Sequence, residues 1–319
     1  MIDKAILKQG LTTTLDSCLL QGYGKPQTGK VRDSYVKDSK RYIVTSDRIS
    51  AFDRVLGTIP FKGQILNTVA AFWFDKTKNM VPNHLVDMPD PAVMTVLDCT
   101  PMPVEMVVRA YVTGSTSTSI WTHYSNGVRN FCGNQLPDGM KKHQKLEVPI
   151  LTPSTKAEQG DHDVSVSRDE ILAMGKISAE DFDQMAQMSM DLFKFGQEHC
   201  AKNGLILVDT KYEFGKNSNG EIIVIDEIHT PDSSRFWQAD TYMKRLENGQ
   251  DPQGLDKEYV RVWLKNERGF TGDGDVPQIP DEIRVEAAFR YISACEQVTG
   301  EKFVPNLEIP NERIAKNMK

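Results

Sequence analysis

Residues 205–229 constrain this chain more than any other stretch. They read Leu-Ile-Leu-Val-Asp-Thr-Lys-Tyr-Glu-Phe, then Gly-Lys-Asn-Ser-Asn-Gly, then Glu-Ile-Ile-Val-Ile-Asp-Glu-Ile-His. Two runs rich in β-branched and aromatic residues around an Asn-Gly pair predict a β-hairpin. Side chains alternate along a strand, so Ile206, Val208, Thr210, Tyr212 and Phe214 take one face and Asp209, Lys211 and Glu213 the other. A two-residue turn at Asn219-Gly220 sets Glu213 opposite Asp226 and Lys211 opposite Ile228. A longer loop shifts that pairing by one residue or more. Carboxylates directly across a ladder lie about 4.5–5.5 Å apart at Cβ and repel each other unless a cation lies nearby. An oxygen-only pair suits Mg²⁺, which takes one or two carboxylates plus substrate phosphates, and Lys211 then reaches a phosphate on that ion. The plainer reading of the same pattern is a solvated polar face of an antiparallel sheet.

Five further stretches concentrate charge. Gly29-Lys30-Val31-Arg32-Asp33 follows a loop holding Gly22, Gly24 and Pro26, and alternation puts Lys30 and Arg32 on one face. Glycine lets backbone approach a phosphate closely, and neighbouring cations complement its charge; the alternative is a glycine-rich turn entering an edge strand. No GxxxxGK[ST] loop is present. Residues 45–54 hold Asp47, Arg48, Ser50 and Asp53, a mixture suited to a small ligand bearing an amine and carboxylates, or to a capped turn. Arg109 ends a strand candidate, Val104–Tyr111, ahead of Thr113-Gly114-Ser115. Arg is the bidentate partner of phosphate and carboxylate, though a strand-end Arg also serves in surface ion pairs. Thr230-Pro-Asp-Ser-Ser-Arg-Phe-Trp237 places two hydroxyls and Arg235 directly after the carboxylate hairpin, as in a sugar-phosphate cradle. Asp161-His162-Asp163 resembles a metal triplet, but a lone loop histidine is more often structural.

The bulk numbers narrow the partners. Lys and Arg total 38 against 44 Asp and Glu, a net charge of −6. That balance excludes a broad nucleic-acid surface without excluding a small basic pocket. No run approaches the about 18 apolar residues of a membrane span, and the first residues lack the order of a signal peptide, so a cytoplasmic protein is expected. Five separated cysteines without a CxxC pair predict free thiols rather than zinc or disulfides.

The chain's 319 residues fit two domains. Pro82, Pro89, Pro91, Pro101 and Pro103 make residues 79–103 a connecting loop, dividing a β-rich lobe, 1–103, from a larger lobe, 104–319. A hairpin of residues 30–36 and 41–45 with a four-residue connection precedes it. Helices are predicted over 64–78, 178–202 with Ser178 as cap, 255–267 and 281–299. Residues 125–163 read as a long loop of the kind that is functional or mobile. Strands and helices are segregated, giving an α+β class.

Taken together, these stretches resemble the SAICAR synthetase (phosphoribosylaminoimidazole-succinocarboxamide synthase) family. Pro103-Val-Glu-Met-Val-Val-Arg-Ala-Tyr-Val-Thr-Gly-Ser115 and Leu207-Val-Asp-Thr-Lys-Tyr-Glu-Phe-Gly215 are similar to its two signatures. Gly29–Asp33, Ser46–Asp53, Pro153-Ser-Thr-Lys156-Ala-Glu and Pro231–Trp237 also fit. The resemblance implies a two-lobed fold related to ATP-grasp and protein-kinase cores. It implies an ATP-dependent ligase joining 5-amino-1-(5-phosphoribosyl)imidazole-4-carboxylate (CAIR) to L-aspartate. It also implies that Glu213 and Asp226 hold Mg²⁺, that Lys30, Arg32 and Lys211 face the triphosphate, and that Arg109, Ser115, Ser234 and Arg235 hold the phosphoribosyl group. Asp47, Arg48 and Ser50 are implied near the reacting carboxylate and aspartate, with Asp209 and Lys156 as further contributors. Residues 119–149 are similar to the family's long form. Residues 226–235 are one longer than in its shortest members, which leaves Ser233 beside Ser234 as phosphate partner. A kinase-like phosphotransferase would share Glu213, Asp226 and Lys211, but the HRD and DFG signatures are absent. A non-catalytic nucleotide module would be expected to lack one of these groups. Oligomeric state is left open.

Overall fold

The computed structural model describes residues 2–156 and 163–319. Helix α1 (Lys4–Gly10) leads into a five-stranded sheet of order β1-β2-β3-β7-β6, made of β1 (Gln27–Thr28), β2 (Arg32–Lys37), β3 (Lys40–Thr45), β6 (Leu85–Asp90) and β7 (Val93–Leu97). Between β3 and β6 lie the separate hairpin β4 (Arg48–Ala51) and β5 (Arg54–Thr58) and helix α2 (Lys62–Thr77). Lys37 pairs with Lys40, so the predicted four-residue connection is really a two-residue turn. Asp38 and Ser39 both take positive φ, the conformation such a turn needs. The proline-rich stretch is not a loop either. It carries β6, β7 and the start of the next strand, with Pro89 on the sheet's edge strand, where its missing N–H costs no ladder bond.

The second sheet follows. Strand β8 (Thr100–Tyr111) precedes α3 (Ile120–Ser125), β9 (Asn130–Phe131), β10 (Asn134–Gln135), β11 (Lys145–Leu151) and β12 (Ser154–Thr155). The expected long loop therefore contains its own strands, and Ile120, Tyr124, Phe131, Leu136 and Leu146 form a small core beneath it. Then come α4 (Arg168–Ala173), α5 (Ala179–Lys202), β13 (Leu205–Lys216), β14 (Ile222–Ile225), β15 (Ser234–Gln238), α6 (Ala239–Glu247), α7 (Glu258–Arg268), α8 (Asp281–Thr299) and α9 (Pro310–Asn317). Ser178 caps α5 as expected, its hydroxyl accepting from the Asp181 N–H at 3.0 Å. Helix α7 starts later than its periodicity predicts, because Asp256 Oδ1 takes the Glu258 N–H at 2.8 Å.

Strand β13 organises this sheet. One edge pairs with β8 from Asp209 to Lys216. The other edge is shared: β15 pairs with residues 205–210 and β14 with residues 213–216. The two partners diverge at Lys211, and the connection from Asp226 to Ser233 hangs in the resulting fork, where the Lys211 N–H bonds the Ser233 carbonyl at 3.1 Å. Val208, Tyr212 and Phe214 point into a core shared with Trp73 of α2, Phe193 of α5 and Tyr291 of α8. Helix α2 starts hard against β3. A Cβ on Gly63 would lie 2.1 Å from the Thr45 carbonyl oxygen, so only glycine fits there. Helix α9 returns to the first sheet, where Arg313 makes two hydrogen bonds to Asp90 at 2.9 and 3.0 Å, and Ile314 packs with Leu15 and Tyr35. Among the described residues all cysteines are free and no helix is long and apolar enough to cross a membrane.

Candidate active site

The hairpin register differs from the two-residue expectation by one. Glu213 pairs with Ile225, not Asp226, because residues 217–221 form a five-residue connection. The Asn217 side chain closes it, accepting from Asn219 N and Glu221 N at 2.9 and 3.0 Å. By alternation alone, this slip would turn Asp226 to the opposite face from Glu213. Its left-handed backbone, φ 65°, ends the ladder and swings the carboxylate back into the fork. The convergence of the two acids thus survives by another route.

Three carboxylates surround the Lys211 ammonium. It bonds Glu213 and lies 3.2 Å from Glu105 and 3.8 Å from Asp226. Lys156 bonds the other oxygen of Glu213. Arg32 reaches Asp226 at 3.0 Å and Glu227 at 2.5 Å. Burial opposes charge on Glu213, but the ammoniums of Lys211 and Lys156 outweigh it and hold the carboxyl well below the usual range. Asp226 goes the other way. Burial, reinforced by Glu213 and Glu227, pushes it up to about 6 against the pull of Arg32. Among the described residues no three His, Cys, Asp or Glu side chains are disposed to hold a metal by themselves.

Beside this cluster opens a cleft of about 340 Å³ between the two sheets. Ile43, Leu97 and Ile225 give it an apolar wall, Gly29 a close backbone edge, and Arg32 and Asp226 a charged end. This is the form of a slot for a flat ring followed by anionic groups.

A second charged cluster lies further back on the same face of β13. Arg235 bonds Asp209 at 2.7 Å, and Arg109 lies 3.8 Å from the same oxygen. Arg109 also bonds Thr152 and the Thr118 carbonyl at 2.8 and 3.1 Å. Ser115 bonds Glu258, which faces Arg235 and Arg261. Ser234 instead bonds Thr210 at 2.7 Å. Asp209 therefore does not join Glu213 and Asp226. It is the buried counter-ion that orients two arginines.

The residues after β3 also depart from expectation. Arg48 is buried with all five N–H groups engaged: two face Asp33, and the others reach the carbonyls of Asp16, Gly29 and Lys30. It braces the glycine turn from behind and has no donor left for a ligand. Asp47 accepts the N–H groups of Leu15 and Gly63 at 2.7 and 2.8 Å, so it serves as a distant cap for α2. It borders a cavity of about 20 Å³ beside Arg313 rather than the cleft. Ser50 is half-buried on β4, and Lys30, largely exposed, pairs with Asp53. Asp161 and His162 lie outside the described residues. Glu105 shares the Arg109 face by simple alternation and sits directly opposite Glu213, a signal present in the sequence but unread until β8 and β13 are paired. Glu227 and Glu258 carry no comparable signal.

Sequence comparison agrees with this geometry. Residues 25–275 match the family model described as SAICAR synthetase. The chain is 47% identical to a phosphoribosylaminoimidazole-succinocarboxamide synthase of Legionella pneumophila (strain Lens), over 93% of this chain and 95% of that one. It is 48% identical to the chloroplastic enzyme of that name from Arabidopsis thaliana, over 91% and 70%. The structure of SAICAR synthase from Saccharomyces cerevisiae complexed with SAICAR is similar at a TM-score of 0.76 and 30% identity, covering 91% of this chain and 99% of that one. With the forked sheet, the paired acids and both signature strands in place, the chain belongs to the SAICAR synthetase family.

Proposed function

We propose that this protein is the ATP-dependent ligase that joins CAIR to the amine of L-aspartate, releasing SAICAR, ADP and phosphate in purine biosynthesis. The observation that carries this reading is the placement of two charged clusters on one face of β13. Asp209 and Glu213 are four residues apart, roughly 13 Å of strand, with the fork between them. One cluster suits a triphosphate and the other a sugar phosphate, so the reacting carboxylate would lie over the fork. The yeast relative's complex with SAICAR supports the substrate class.

A carboxylate is a poor electrophile at neutral pH. In the proposed sequence the CAIR carboxylate oxygen attacks the γ-phosphorus of ATP, the bond to ADP breaks, and an acyl phosphate forms. The aspartate amine then attacks the acyl carbon, losing a proton, and phosphate leaves with the electrons of the C–O bond. Such transfers need positioning and charge neutralisation more than a protein nucleophile. Arg32, Lys211 and Lys156 supply the neutralising charge beside the cleft. Glu213 and Asp226 fit Mg²⁺: they are oxygen donors, two in number, next to a phosphate-sized charged end, as expected of an ion that completes its shell with substrate phosphates and water. When bound, Mg²⁺ would neutralise charge on the ATP phosphates. Lys211 now fills the space between these acids and would turn toward the phosphates. Arg109 and Arg235, oriented by Asp209, would take the ribose phosphate with Ser115; Ser234 is held by Thr210 instead and is not placed with them.

We read the five-stranded sheet as the nucleotide-side lobe, 1–103, and the remainder, 104–319, as the lobe carrying the acids and the CAIR site. The first sheet's strands all fall before residue 98 and the second sheet's after residue 99, which supports the division. A cytoplasmic location fits the free thiols. The test is direct: incubation with ATP, Mg²⁺, CAIR and L-aspartate yields SAICAR and ADP in equal amounts. ADP release that needs no aspartate, with accumulation of a stable phosphorylated product, would identify a phosphotransferase instead.

A further inference from the structure

The rear cluster already faces an anion that belongs to the chain. Glu258 opens α7, and its carboxylate accepts from Ser115 Oγ at 2.5 Å, with Arg261 at 3.1 Å and Arg235 at 3.5 Å. Burial opposes its charge, yet Arg235 and Arg261 hold its carboxyl down to about 2, so it is ionised at any physiological pH. The arginines remain under-satisfied: the Nε of each is buried without a hydrogen-bond partner among the described residues. Gly114, at φ 103°, brings the Ser115 loop in close. A Cβ there would lie 2.3 Å from Ser119 Oγ and 3.2 Å from Arg235 Nη2.

We propose that Glu258 is a resident anion of the phosphate cradle, holding Arg235, Arg261 and Ser115 in place while the cradle is empty and leaving when the ribose phosphate of the substrate enters. This rests on the reading that the rear cluster takes that phosphate. Three guanidiniums, from Arg109, Arg235 and Arg261, face the carboxylates of Asp209 and Glu258, with buried Asp256 as a further negative charge near Arg235. Withdrawal of Glu258 raises the net positive charge of the cluster by one, in favour of a phosphate monoester of about −1.5 to −2. Glu258 is the acid able to leave. Its side chain is 21% exposed against 6% for Asp209. Asp256 anchors the start of α7 through the backbone, independently of the Glu258 side chain. A carboxylate in the first turn of a helix is also favourable facing solvent.

Glu258→Gln keeps the size and the acceptor for Ser115 and removes the competing charge. In this variant KM for CAIR is expected to fall at least about fivefold, since a like charge no longer opposes the incoming phosphate, while KM for ATP is unchanged. Inorganic phosphate, used as a probe, should inhibit competitively with CAIR at lower concentration than in the wild type. It should also raise the melting temperature of the variant more than that of the wild type. A KM for CAIR that rises or stays the same overturns the proposal, the former showing that the charge is needed to orient the arginines. Glu258→Asp, which keeps the charge, should not lower KM for CAIR; if it does, loss of bulk rather than charge is responsible and the proposal fails. The melting experiment needs no turnover. Phosphate stabilisation that grows in Glu258→Gln, in a protein that makes no SAICAR, would sink the ligase reading and leave the resident anion standing.

Discussion

Substitution Arg48→Lys discriminates between a ligand-contacting and a bracing role for this arginine. The guanidinium has five N–H groups, and each meets an acceptor: the Asp33 carboxylate twice, and the carbonyls of Asp16, Gly29 and Lys30. A lysine ammonium has three donors on a single point. If it keeps two donors on Asp33, it leaves two of the three carbonyls without partners. Arg48 is only 6% exposed, so water reaches those carbonyls poorly. A buried unsatisfied group costs about 1–3 kcal/mol, so a loss of about 2–4 kcal/mol of folding free energy is expected. The freed carbonyls belong to the Gly29-Lys30 turn, and Gly29 edges the cleft. KM for ATP should therefore rise several-fold, with KM for CAIR and aspartate much less affected. Urea denaturation gives the first quantity and initial-rate kinetics the second. A variant within about 0.5 kcal/mol of the wild type, the level of an innocuous surface change, with a raised KM for aspartate or CAIR and a normal one for ATP, would refute the bracing role and restore a direct substrate contact.

Three other substitutions test the remaining framework. Asp226→Asn should fold, as judged by circular dichroism, and lose most turnover; a kcat near that of the wild type would remove Asp226 from the metal pair. Arg235→Ala should raise KM for CAIR far more than KM for ATP, and equal effects on both would count against a dedicated phosphate cradle. Asp47 is pushed up to about 6, chiefly by burial. Because the folded value is raised, its contribution to stability is present below about pH 4 and is lost as pH rises through 6. Asp47→Asn cannot titrate, so the stability difference between wild type and variant should widen by roughly 1 kcal/mol between pH 7 and pH 5. A difference independent of pH would show that Asp47 titrates normally.

The sequence pattern reads well where a face decides the residue. Asp209, Lys211 and Glu213 share one side of β13 as alternation requires, and the helices at 62–77, 179–202 and 281–299 lie where their apolar stripes place them. It reads poorly where side chains rewrite the backbone. Asn219-Gly220 promised a two-residue turn, but Asn217 two positions earlier captures two backbone N–H groups and lengthens the loop. Asp226 then depends on one positive φ that no periodicity encodes. Arg48 and Asp47 have the composition of a binding loop, and only their distant partners, Asp33, Leu15 and Gly63, reveal that they hold the scaffold together. Glu258 enters the rear cluster from a helix more than twenty residues beyond the signature strands, a juxtaposition that only the closed fold creates.

The return of α9 to the first sheet has a consequence for how the molecule is made. Asp90 waits for Arg313 across 223 positions of chain, and Asn317 closes on the same carboxylate. During synthesis the five-stranded sheet emerges early, yet its buried Asp90 has no counter-charge until residue 313 has left the ribosome. An unpaired buried carboxylate is costly, and distant contacts form slowly. The nascent sheet should therefore remain loosely closed, and a ribosome-stalled chain ending before residue 310 should be cut by protease within residues 1–97 where the finished protein resists.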